Sequence, residues 1–127
     1  MRLQESGEMY LETILILSRR NVSVHSVDVS EYMGFSKPSV SRAVRLLRSG
    51  GFLEMRPDGE LLLTPLGRET AEKIYDRHQV LTAALMLLGV PEDIASVDAC
   101  KIEHDISDVT LNAIKEHMKE PDRHDDP

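Results

Sequence analysis

Six side chains of this 127-residue sequence, all of types that bind transition metals, fall in three segments, and five of them stand at helical spacings. Met9 and Glu12 are three apart, His78 stands alone, and Cys100, Glu103 and His104 fall at i, i+3 and i+4. Residues three or four apart share one helix face, so each group would turn its donors to a common point. Taken singly, each has a plainer role. Met9 would be core, His78 a hydrogen-bonded histidine, Cys100 a small buried hydrophobe, and Glu103 and His104 exposed helix residues. Taken together, two sulfurs, two carboxylates and two imidazoles fit one mixed metal site, or two adjacent ions sharing a carboxylate. Cys-Glu-His could hold a hydrolytic metal, but a saturated ligand set leaves no open position and no separate base is evident. The chain therefore does not read as an enzyme, and no small organic ligand is expected.

The elements that must position these donors are helical. Hydrophobic residues make up 41% of the chain and aromatics 4%, with no Trp, which suits packed helices better than a sandwich or barrel. A single Cys excludes an internal disulfide framework. The start MRLQESGEMY has no apolar signal region, and no run reaches membrane-spanning length, so a cytoplasmic protein without a membrane partner is expected. The length suits one domain or two small lobes.

Residues 5–19 place Met9, Leu11, Ile14, Leu15 and Leu17 on a broad apolar face, a first helix. Ser26 is expected to cap a short second helix ending at Gly34. Ser36 is expected to cap a third, with Pro38 in its first turn, that buries Val40, Val44 and Leu47 and stops at Gly50-Gly51. Residues 52–55 and 60–63 flank Arg56-Pro57-Asp58-Gly59, the pattern of a β-hairpin. Thr64-Pro65 opens a long helix to about Leu88, Pro91 starts another to about His104, and Ser107 caps a last one from about Asp108 to Lys119.

Helix, helix, turn, helix and hairpin form a winged helix-turn-helix. The net charge of −7 hides an asymmetry: residues 1–68 carry 9 basic and 8 acidic side chains, residues 69–127 carry 6 and 14. Lys37, Arg42, Arg45 and Arg48 lie in a stretch with no acid. DNA affinity depends on local phosphate neutralisation more than on total charge. The start of the third helix would enter the major groove, with Ser36, Pro38, Ser39 and Arg42 nearest the base edges. Arg42 could pair bidentately with guanine, while Lys37 and Arg45 would meet phosphates. Arg56 at the wing tip is a candidate for minor-groove or backbone contact. The alternative for this face is an ordinary solvated helix surface.

Met9-Tyr10-Leu11-Glu12, the winged helix, Tyr75-Asp76-Arg77-His78 and Cys100-Lys101-Ile102-Glu103-His104 together resemble the diphtheria toxin repressor family, which includes iron-dependent repressors and manganese transport regulators. The resemblance covers about residues 5–120. It implies a mainly α fold: a winged helix-turn-helix lobe over 1–68 and a helical metal-binding and dimerisation lobe over 69–120. Pro121 and the polar EPDRHDDP run make a disordered tail over 121–127 the expectation. The resemblance implies a homodimer that binds operator DNA when loaded with Fe²⁺ or Mn²⁺ and represses uptake genes. The SH3-like domain of the iron branch is expected to be absent.

The implied ligands are a hybrid. Met9, Cys100, Glu103 and His104 match the primary site of the iron branch. Glu12 and His78 match residues that support a two-ion site in the manganese branch. A second iron-branch site would need a Glu and a His where Thr82 and Ser96 stand, so it is not expected here. Two ions per subunit are expected, bridged by Glu12 or Glu103. The sulfurs favour Fe²⁺ over Mn²⁺ and would raise affinity for Zn²⁺, Co²⁺ or Ni²⁺. Metal would tie the lobes together, and Val90, Ile94, Val97, Leu111 and Ile114 would supply the dimer surface. The rival expectation is a winged-helix regulator that senses another signal, such as Cys100 oxidation, through a vestigial metal site.

Overall fold

A computed structural model gives the fold over residues 5–119. The tail expected to be disordered, 121–127, lies outside these described residues. Six helices and one two-stranded sheet follow in order: α1 (Glu5–Arg20), α2 (Ser26–Met33), α3 (Lys37–Ser49), β1 (Leu53–Met55), β2 (Leu61–Leu63), α4 (Pro65–Leu87), α5 (Glu92–Ile102) and α6 (Asp108–Lys119). The chain divides into two compact units between Lys73 and Ile74, inside α4.

In the first unit α1 packs against α2, α3 and β2, and α3 packs against β1. Leu11, Ile14 and Leu15 from α1 are buried, as are Val29 from α2 and Val40, Val44 and Leu47 from α3. Ser36 caps α3 by accepting the Ser39 N–H at 3.3 Å, and Pro38 occupies the first turn, where its missing N–H costs no helical bond. The strands pair antiparallel with Leu53 opposite Leu63 and Met55 opposite Leu61. Asp58 Oδ1 accepts the Glu60 N–H at 2.9 Å, and Gly59 takes a positive φ of 93°, which closes the hairpin. Gly67 has a different reason to be glycine: a Cβ there would stand 1.9 Å from the Phe52 carbonyl oxygen.

Two expected ends shift. His25, not Ser26, is the N-cap of α2, because the Asp28 carboxylate reaches back to accept the His25 N–H at 2.8 Å. A carboxylate near the positive end of a helix is a stronger acceptor than a hydroxyl. The fifth helix ends at Ile102 rather than at His104, since residues 103–105 form a turn that delivers the chain to Ser107. Ser107 then caps α6 as expected, accepting the Thr110 N–H at 3.2 Å.

The second unit has its own small core of Leu81, Ala99 and Leu111, with Val80, Ile106 and Ile114 packed against it. This corrects part of the expected dimer surface. Leu111 and Ile114 face inward, whereas Ile94 and Val97 are about half exposed. An apolar stripe on a short helix shows which face is covered, not what covers it. No described helix is long and apolar enough to cross a membrane.

Candidate metal centre and nucleic-acid face

The second unit brings four of the six expected donors together. Glu103 is the C-cap of α5 with φ −59° and ψ −26°, so the backbone keeps a helical turn through it although the helix has ended. The i, i+3, i+4 relation therefore survives, and ligand atoms of Cys100, Glu103 and His104 lie within 4.8 Å of one another. His78 arrives from α4, its Nδ1 3.4 Å from Glu103 Oε2, while His104 Nε2 lies 3.6 Å from Glu103 Oε1. One carboxylate thus faces two imidazoles. The other two donors stand one turn apart on α1 of the first unit, Met9 half-buried and Glu12 buried.

Glu103 is 1% exposed. Neither of its oxygens has a hydrogen-bond partner among the described residues. Both imidazole distances exceed those of a charge-assisted hydrogen bond. A carboxylate removed from water is costly unless positive charge or donors balance it. A divalent ion held among this carboxylate, the two imidazoles and the Cys100 sulfur would supply that balance, and nitrogen, oxygen and sulfur donors suit the later first-row metals. The residues present therefore fit a metal. Burial raises the Tyr10 hydroxyl above its ordinary pKa, so the phenol beside Met9 stays neutral core.

Two partners of the donors carry no signal in the spacing. Ser96 Oγ lies 3.2 Å from His78 Nε2, which directs Nδ1 toward Glu103. If the hydroxyl accepts from Nε2–H, Nδ1 keeps the lone pair a metal needs. Arg77 donates to the main chain of the turn holding Glu103. At the two positions where a further site would need Glu and His, Ser96 thus pairs with the His78 ring, and Thr82 Oγ1 is buried without a hydrogen-bond partner among the described residues.

In the first unit, α3 buries Val40, Val44 and Leu47 and exposes Lys37, Pro38, Ser39, Arg42 and Arg45, while its cap Ser36 is also exposed. The Ser36 and Ser39 hydroxyls bond each other at 2.9 Å, so both are engaged in the cap. Arg56 on the wing is exposed and lies 3.6 Å from Glu60, a pairing that partly offsets its charge. Arg45 and Arg48 line a shallow recess with Glu54 and Met55 of β1.

A winged helix-turn-helix, followed by a helical unit with metal-type donors gathered around a buried carboxylate, defines a class of DNA-binding regulators that answer to metal ions. Family models describe the same two parts. The N-terminal DNA-binding domain of iron-dependent repressors matches residues 2–61, and their metal-binding and dimerisation domain matches residues 64–127. The chain belongs to the iron-dependent repressor family, whose members are transcriptional regulators and not enzymes. It is 36% identical over 104 residues to the transcriptional regulator MntR of Salmonella typhimurium, covering 82% of this chain and 66% of that protein. It is 28% identical over 122 residues to the diphtheria toxin repressor of Corynebacterium diphtheriae, covering 95% of this chain and 54% of that one. The solved structure of the manganese regulator SloR superposes with a TM-score of 0.81 at 28% identity, over 95% of this chain and 56% of that one. The chain therefore spans between about half and two thirds of the length of these relatives.

Proposed function

We propose that this protein is a repressor that binds operator DNA as a homodimer when loaded with Fe²⁺ or Mn²⁺ and so controls metal-uptake genes. The observation that carries the reading is the buried Glu103 carboxylate, facing His78 and His104 with Cys100 beside it, in a chain whose other unit is a winged helix. Glu103, His78, His104 and Cys100 would hold metal, and Met9 and Glu12 of α1 are the further donors that would allow two ions per subunit. Metal occupancy is the signal to which operator binding answers. Effector and operator then raise each other's affinity reciprocally. Ser36, Lys37, Pro38, Ser39, Arg42 and Arg45 read DNA from α3, and Arg56 does so from the wing. The exposed Ile94 and Val97, together with Leu87 and Leu88 at the end of α4, offer the apolar surface for a second copy.

Fe²⁺ is favoured over Mn²⁺ by the two sulfurs, and Zn²⁺, Co²⁺ and Ni²⁺ are expected to bind in vitro. The test is anaerobic operator binding by the metal-free protein, titrated with Fe²⁺ and with Mn²⁺ at fixed salt. Activation by Fe²⁺ at lower concentration is expected. Equal or better activation by Mn²⁺ would make Met9 and Cys100 bystanders, and operator binding indifferent to both metals would overturn the reading.

A further inference from the structure

Arg77 makes three contacts with the segment that ends α5 and begins α6. Nη1 donates to the carbonyl oxygens of Glu103 and Ile106, each at 3.0 Å, and Nη2 pairs with the Asp108 carboxylate. The side chain is only 15% exposed. Carbonyls at a helix C-terminus have no partner within the helix. A guanidinium fork meets several acceptors in fixed geometry, which a single ammonium cannot do. Asp108 balances the charge from the first turn of α6, where an acidic side chain is favourable. The preceding residue, Asp76, pairs with Lys115 of α6. Consecutive residues of α4 thus fasten α6, and one of them also fastens the main chain of Glu103.

We propose that Arg77 is a positioning residue for the metal centre, holding the turn from Glu103 to Asp108 in its ligating conformation before metal arrives. The inference rests on the reading of Glu103 and His104 as metal ligands. Arg77 offers only donors and does not bind a cation. Its influence runs through the backbone of a ligand residue. His78, the next residue on the same helix, faces the same carboxylate. Arg77 therefore fixes the separation between one ligand and the turn that carries two others.

The test uses the full metal-free chain and its Arg77→Ala, Arg77→Lys, Asp108→Asn and Glu103→Gln variants. Three quantities are read: Mn²⁺ and Co²⁺ affinity by competition with a chelating indicator, the visible spectrum of bound Co²⁺, and amide hydrogen exchange over residues 103–108. Arg77→Ala is expected to weaken both metals by about 10- to 100-fold, the usual effect of removing an outer partner of a ligand. It should also speed exchange in the turn and change the Co²⁺ bands. Arg77→Lys should recover part of the affinity and part of the spectrum. If Arg77→Ala does not fold, Arg77→Lys and Asp108→Asn carry the test, with weaker metal binding expected at unchanged helix content. Parental affinity and an unaltered Co²⁺ spectrum in these folded variants would overturn the positioning role while Glu103→Gln still loses metal. Parental affinity in Glu103→Gln would instead overturn the metal-centre reading itself, and the inference with it.

Discussion

As a ligand in the proposed site, Cys100 would set the softness of the donor set, since thiolate is the donor that separates later first-row metals from Mn²⁺. Cys100→Ser is expected to weaken Co²⁺ and Zn²⁺ far more than Mn²⁺, and to remove the sulfur-to-metal charge-transfer absorption of the Co²⁺ form. An unchanged ranking of metals would take the sulfur out of the site. Binding must also displace protons from the imidazoles and the thiol, so affinity for any of these metals should fall as pH falls. Competition titrations at several pH values check the sign. The clustering of Cys100, Glu103 and His104 was legible because helical spacing survives locally: Glu103 keeps helical dihedrals past the end of α5. Arg77 and Ser96 were not legible as partners. Their contacts join residues 18 to 31 apart, where no local period links them.

At the level of elements, caps and periods carried most of the information. Ser36, Ser107 and the turn at Asp58-Gly59 act where the sequence places them, because each satisfies backbone groups within three residues of itself. Ser26 was a weaker guide, since Ser and the Asp28 carboxylate compete for the same helix start and the carboxylate wins. The inward turn of Leu111 was illegible for a different reason. Its partners Leu81 and Ala99 come from other helices, and periodicity says nothing of them. Leu111→Ala should cost about 2–5 kcal/mol, the range for a truncated core leucine. Chemical denaturation of the metal-free protein measures it. Gly67→Ala forces a methyl group onto the Phe52 carbonyl and is expected to cost roughly 1–3 kcal/mol, as overpacking does. A variant as stable as the parent would mean that α4 and the Phe52 main chain just before β1 shift apart without strain.

Across the whole molecule, charge is divided: 9 basic and 8 acidic side chains over residues 1–68, and 6 and 14 over residues 69–127. Operator affinity of the metal-loaded protein is expected to fall steeply with salt, in proportion to the phosphates neutralised. Arg45→Ala should lower that slope by about one phosphate contact per subunit while leaving the preferred sequence intact. Arg42→Ala should relax the preference at one position of each half-site. Binding measured across a salt series on operator and mutated operator separates the two. A slope untouched by Arg45→Ala would place that side chain away from the backbone.

The division between the two units falls within α4, with no loop at the boundary. Proteases cut extended, exposed backbone, so limited digestion should nick the stretch between α1 and α2, where Val22 is fully exposed, or the wing, before it separates the halves. The same fact governs how such a protein can be rebuilt. A chimaera that borrows another sensor half must be spliced within an unbroken helix, so the joint has to respect the rungs on either side of it. Exchange of parts by simple shuffling at a linker is closed to this architecture.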